Sequence, residues 1–136
     1  MLFRSDIKRE GKDVTVVATS LAVHHALEAA AALAKEGIGA EVIDPRSAVP
    51  LDLETIYRSV RKTGRLVTVD ETPQMCSIGS EIAACVSSNA FRSLKAPVGR
   101  VAQAPAPMPY ADVLENAVLP SASKIVSEVR RILKGG

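Results

Sequence analysis

The chain has 136 residues, 47% of them hydrophobic and 24% charged, with a formal net charge of +2. That length supports one domain with a real core, and the interspersed charges of both signs argue against a nucleic-acid binder. The apolar runs are too short and too often broken by charge for a membrane span or leader peptide; Cys76 and Cys85 lack zinc-type spacing, so reduced thiols in a cytoplasmic protein are expected.

In chain order, residues 1–10 read as an edge strand or a linker. Residues 13–19 (DVTVVAT) follow a Glu10-Gly11-Lys12 turn and form a β-branched run suited to a buried strand. Thr19 or Ser20 can cap the next helix through a side-chain oxygen. That helix runs to about Glu36, carries a wide apolar stripe of Val23, Leu27, Ala30, Ala34 and neighbours, and stops at Gly37. Residues 39–44 (GAEVID) are a second strand. Asp52 caps a helix that faces Ile56 and Val60 inward and ends at Gly64. A third strand covers residues 66–69. Ser77 caps a helix through about Leu94, with Ile82, Val86 and Ala90 at i, i+4 and i+8. Residues 97–102 are a fourth strand. A proline-rich loop (105–111) leads to a short helix near 112–117. The last helix starts near Ser121 or Ser123 and presents Ile125, Val126, Val129, Ile132 and Leu133. Strands alternating with helices imply parallel crossovers and a sheet covered on both faces. The expected fold is α/β, a three-layer α/β/α sandwich with a mostly parallel sheet.

In such a sheet, functional groups gather beyond the carboxyl ends of the strands. Thr19, Ser20, Asp44, Arg46, Asp70, Glu71 and Gln103 fall there and form a polar rim. The Arg46 guanidinium can hold one of these carboxylates with two hydrogen bonds. Alternatively, these residues only cap helices and tie loops together. His24 and His25 are the only histidines, and as helix neighbours they diverge too far to make a ligand pair. Cys76 precedes a helix start, which favours a thiolate, yet no base accompanies it; the competing reading is a packed loop cysteine. Ser77, Gly79 and Ser80 offer N–H groups to an anion only as any helix start does. Gly37-Ile38-Gly39 lacks the third glycine of a dinucleotide fingerprint. No catalytic, cofactor-binding or metal-ligating residue is expected in the chain.

Four segments carry a family resemblance through their order and spacing. They are Glu10–Thr15; Glu41–Asp44 with Arg46 and Pro50-Leu51-Asp52; Asp70-Glu71 with Gly79–Ala83; and Pro97, Arg100-Val101, Pro107–Ala111, Leu114-Glu115 and Leu119-Pro120. From about Gly11 to Leu133 the chain resembles the C-terminal domain of the beta subunit of thiamine diphosphate-dependent 2-oxo acid dehydrogenases (pyruvate, acetoin or branched-chain). This is the transketolase C-terminal-like domain, assigned to residues 11–136. The ending Cys76-Ser77-Ile78 is closer to the acetoin branch.

The resemblance implies a catalytic domain upstream, with the chain an excised fragment beginning at Met1. The family's Gly-Asp-Gly stretch, which holds magnesium and diphosphate, has no counterpart here. Thiamine diphosphate and magnesium are therefore expected in the intact enzyme and not in this domain. The implied partners are the alpha subunit, a second beta subunit and the dihydrolipoyl acyltransferase core, with no nucleic acid and no membrane. Docking of the core is implied near the last helix and residues 97–100. Lys95 and Gly99 there flank a position where other members often carry acids. The interface candidates are Arg46, Glu71, Pro107, Met108, Pro109 and Tyr110. Proline stiffens the loop, and Met108 and Tyr110 offer contact surface unless they tuck into the domain's own core. The alternatives are the C-terminal domain of a transketolase or deoxyxylulose-phosphate synthase, or a freestanding flavodoxin-like binding module.

Overall fold

The computed structural model describes residues 3–135; the expectations that fall on Met1, Leu2 and Gly136 lie outside the described residues. The strands are β1 (Asp6–Arg9), β2 (Val14–Ala18), β3 (Ala40–Asp44), β4 (Leu66–Pro73) and β5 (Gly99–Gln103). The helices are α1 (Ala22–Ala34), α2 (Leu53–Thr63), α3 (Ile78–Asn89), α4 (Asp112–Val118) and α5 (Ala122–Leu133), with a 3-10 turn at Phe91–Ser93. The sheet order is β1-β3-β2-β4-β5. β1 pairs antiparallel with β3, and the remaining pairs are parallel.

Burial follows from this order. All five residues of the central β2 are buried, and Val16 stands between Val42 of β3 and Val67 of β4. α1 and α5 close one face of the sheet: Val23, Ala26, Ala30 and Leu33 meet Ile125, Val126, Val129 and Ile132. α2 and α3 close the other through Ile56, Val60, Ile82 and Val86. The three layers expected from the alternating pattern are therefore present.

Local signals set the helix ends. Asp52 accepts the Thr55 N–H at 3.3 Å and the Thr55 hydroxyl at 2.7 Å, opening α2. Gly64 closes α2 at φ 74°, a conformation that favours glycine. Ser77 accepts the Ser80 N–H at 3.1 Å, and Ser121 accepts the Lys124 N–H at 3.3 Å.

Four expectations are corrected. α1 has no side-chain cap, because Ser20 takes φ 55° and Leu21 occupies the capping position. Ala34, counted in the apolar stripe of α1, is exposed, and its neighbour Leu33 is the one in the core. β4 runs on to Pro73 because β5 continues to pair with it, opposing Gln103 to Pro73. α3 stops at Asn89, and the 3-10 turn replaces its last expected turn.

Candidate functional site

Each parallel strand ends at the same edge of the sheet, and each is followed there by an exposed apolar side chain. Leu21 follows β2, Val49 follows β3, Met75 follows β4, and Met108 and Tyr110 follow β5. Val49 is 89% exposed, Met75 is 85% exposed and Tyr110 is fully so. Val113 and Leu114 on α4 extend the surface. Pro105 and Pro107 are exposed and Pro109 is half-buried. Met108 and Tyr110 therefore do not tuck into the domain's own core.

Beside Met75 lies a cavity of about 570 Å³ lined by Pro73, Gln74, Met75, Arg100, Gln103 and Pro105. Arg100 holds its wall together. Its Nη2 donates to the Gln74 carbonyl at 2.8 Å and to the Ser80 hydroxyl. The β4–α3 loop is thereby pinned to β5, with Cys76 at φ 58°. A hollow of about 190 Å³ separates Thr19 and Ser20 from Asp44, Arg46 and Ile78.

The polar rim divides. Asp70 is buried beneath the start of α3 and accepts the Gly79 N–H at 3.3 Å. Burial pushes its carboxyl above the ordinary value; Ser77, the Gly79 N–H and the Arg100 charge pull it back only in part. Thr68 Oγ1 and Glu71 Oε1 are buried nearby without a hydrogen-bond partner among the described residues. Arg46 does not form the expected two-pronged pair. Its backbone N–H donates to Asp44 Oδ1 at 2.9 Å, and its Nη1 lies 3.6 Å from Asp6 Oδ2, because φ 61° turns the exposed side chain toward β1.

His24 is exposed and His25 half-buried on α1. Cys76 is exposed. The Cys85 thiol, 3.2 Å from Glu81 Oε1, is pushed up by that hydrogen bond and then by burial, which disfavours the thiolate. Among the described residues, no three His, Cys, Asp or Glu side chains converge as a metal site.

The sequence reading missed a second polar cluster at the amino edge of the sheet. Glu41 is fully buried in β3, ion-paired with Lys62, and accepts the Gly11 N–H at 3.2 Å. A side chain on Gly11 would overlap the Ala40–Glu41 peptide. Burial pushes the Glu41 carboxyl up, but hydrogen bonds from Lys62, Ser59 and Gly11 outweigh it and hold the group below its ordinary value. Beside it, the Thr15 hydroxyl lies 2.7 Å from those of Ser59 and Thr63. The available signal was a glutamate inside an apolar strand, which demands a cation.

The family model "Transketolase, C-terminal domain" matches residues 4–125. The acetoin:2,6-dichlorophenolindophenol oxidoreductase beta subunits of Cupriavidus necator and Bacillus subtilis are each 48% identical over 132 residues. Those matches cover 97% of this chain and 39% of each relative. The mitochondrial pyruvate dehydrogenase E1 beta subunit of Dictyostelium discoideum is 47% identical, over 95% of this chain and 36% of its own length. Among solved structures, a split gene transketolase described as an inactive beta4 tetramer superposes with a TM-score of 0.81 at 32% identity, over 97% of this chain and 42% of that one. The chain thus spans about two fifths of the length of the relatives it matches.

Proposed function

The chain belongs to the transketolase C-terminal domain family, and from that premise we propose that it is the subunit-assembly domain of the beta subunit of a thiamine diphosphate-dependent 2-oxo acid or acetoin dehydrogenase. The observation that carries this reading is the apolar rim. An edge that presents Leu21, Val49, Met75, Met108 and Tyr110 together is costly to leave in water and suited to a partner surface. Met and Tyr are side-chain types enriched at interface cores. Arg46, Glu71 and Pro107–Tyr110 are the residues assigned to the contact. The partners are the alpha subunit, a second beta subunit and the dihydrolipoyl acyltransferase core.

The chain's own contribution is positional. Arg100 and the Asp70–Gly79 contact fix the loop carrying Met75, and prolines limit the conformational entropy lost when residues 105–111 dock. The donor set does not fit magnesium diphosphate. Asp70 is committed to the start of α3, Asp44 to the Arg46 N–H, and no third acid converges on them among the described residues. Thiamine diphosphate and magnesium are accordingly assigned to the rest of the enzyme. Calorimetry should show no micromolar uptake by this chain, and uptake would contradict the assignment.

Cys76-Ser77-Ile78 favours acetoin as the substrate, whereas similarity to the acetoin and pyruvate relatives is nearly equal. Rates of the reconstituted complex with acetoin and with pyruvate separate these readings. The assembly role is tested with Met108→Asp/Tyr110→Asp in the full beta subunit. Light scattering with the alpha subunit should show weakened assembly, while circular dichroism of the 136-residue chain stays unchanged. A folded double mutant that assembles normally removes the loop from the interface.

A further inference from the structure

The part of the rim that carries Met108, Tyr110, Val113 and Leu114 is anchored differently from the rest. Between Val101 of β5 and Ala122 of α5, no side chain enters either half of the core among the described residues, and Pro120 alone is buried. α4 lies in this stretch, with no buried residue and no side-chain cap at its start. It is seven residues long, and a helix that short is unstable in water by itself. Its order has to come from something other than packing.

The source of that order lies at the base of the stretch. The Ala104 N–H, just past β5, donates to the Val118 carbonyl at 2.9 Å. Lys124 Nζ, from the first turn of α5, donates to the Ala117 carbonyl at 2.8 Å and to the Leu119 carbonyl. Lys124 has no carboxylate partner among the described residues, so its charge is spent on these main-chain oxygens. They stand at the carboxyl end of α4, where the helix dipole favours a cation. Lys124 is itself fixed: its N–H donates to Ser121 Oγ at 3.3 Å, and its neighbours Ile125 and Val126 are in the core. Residues 105–117 therefore leave and re-enter the domain at one point, which three hydrogen bonds close like a clasp.

We infer that Lys124 is a positioning residue for subunit assembly: it clasps the base of the 105–118 arm, so that Met108, Tyr110, Val113 and Leu114 reach the partner as one preformed surface. An arm whose backbone is already ordered loses less entropy when it docks. Loss of the clasp frees the arm and leaves both halves of the core intact. The inference rests on the reading of the rim as an assembly surface and names a residue that acts on assembly through the arm.

Chymotrypsin reads the clasp in the 136-residue chain, because Tyr110 and Leu114 lie on the arm and are exposed. In Lys124→Met, cleavage after these two residues should quicken about tenfold while the circular dichroism melt stays near the parent's. Lys124→Arg should keep the slow rate, since a guanidinium can donate to the same carbonyls. In the full beta subunit, Lys124→Met should weaken assembly with the alpha subunit about tenfold, and Lys124→Arg should leave it near the parent's. The inference is overturned if Lys124→Met is cut no faster than the parent, if its melt falls along with the faster cutting, or if it assembles normally while Met108→Asp/Tyr110→Asp does not. Normal assembly of that double variant as well removes the assembly reading of the rim, and the inference falls with it.

Discussion

The backbone of Gly79 sits directly on the buried carboxylate of Asp70: its N–H donates to Oδ1 at 3.3 Å, and a Cβ there would come within 2.7 Å of Thr68 Oγ1 and overlap Asp70 Oδ2. The contact joins the end of β4 to the start of α3, directly beneath the loop that carries Met75. Gly79→Ala adds a methyl where a strand side chain and a buried acid already stand. The expected loss is about 1–3 kcal/mol, read as a lowered urea midpoint. A midpoint equal to the parent's would mean that α3 can shift away from β4 without cost.

Asp70 also gives the fold a pH dependence. Its folded carboxyl is raised above the ordinary value of 3.8, chiefly by burial. The stability contributed by the protonated form is complete below 3.8 and is lost as pH climbs through the folded value. Asp70→Asn keeps an acceptor for the Gly79 N–H and removes the titration. Urea midpoints taken from acid to neutral pH should show the variant gaining on the parent. Parallel curves would show that this carboxyl is not raised.

The Glu41–Lys62 pair acts with the opposite sign. Glu41 is held below its ordinary value of 4.5, so its contribution is present above 4.5 and is lost as pH falls through the folded value. Lys62→Met leaves a buried carboxylate without its cation. A cost of about 1–3 kcal/mol at neutral pH is expected; it falls below that of a fully buried pair because Lys62 is 44% exposed and screened by water. Thermal midpoints should show the deficit narrowing in acid, and a deficit that widens there would contradict the assigned pairing.

Val129 is fully buried between α1 and α5. Val129→Asp sets a charge among aliphatic side chains. Circular dichroism melts should show a loss above about 3 kcal/mol or an unfolded chain. A midpoint matching the parent's would place that face of α5 in solvent.

The layers were readable because β-branched runs alternate with helical stripes, and because Asp52, Ser77, Ser121 and Gly64 mark helix ends by local chemistry. The inward face of α1 was harder to read. Alanine lies on several sides of that helix, so hydrophobicity did not separate Ala34 from Leu33. β4 beyond Val69 is polar in sequence and becomes a strand only because β5 pairs with it. The candidate surface was half legible. Prolines drew notice to Met108 and Tyr110, but Leu21, Val49 and Met75 are scattered along the chain. Only the parallel topology brings them to one edge. Glu41 inside an apolar strand calls for a cation, but nothing near it in sequence points to Lys62.

The division of the core between two helix pairs also bears on how the chain folds as it leaves the ribosome. The α2–α3 side draws on residues up to about Val98, so its components all emerge before α5 does. The α1 side waits for Ile125, Val126, Val129 and Ile132, and Arg130 joins Glu36 across ninety-four positions of sequence. Until synthesis reaches α5, α1 has only the sheet to pack on and the rest of that face stays open. Closure of this domain therefore waits for α5, and a chain that lacks α5 leaves that face of the sheet covered by α1 alone.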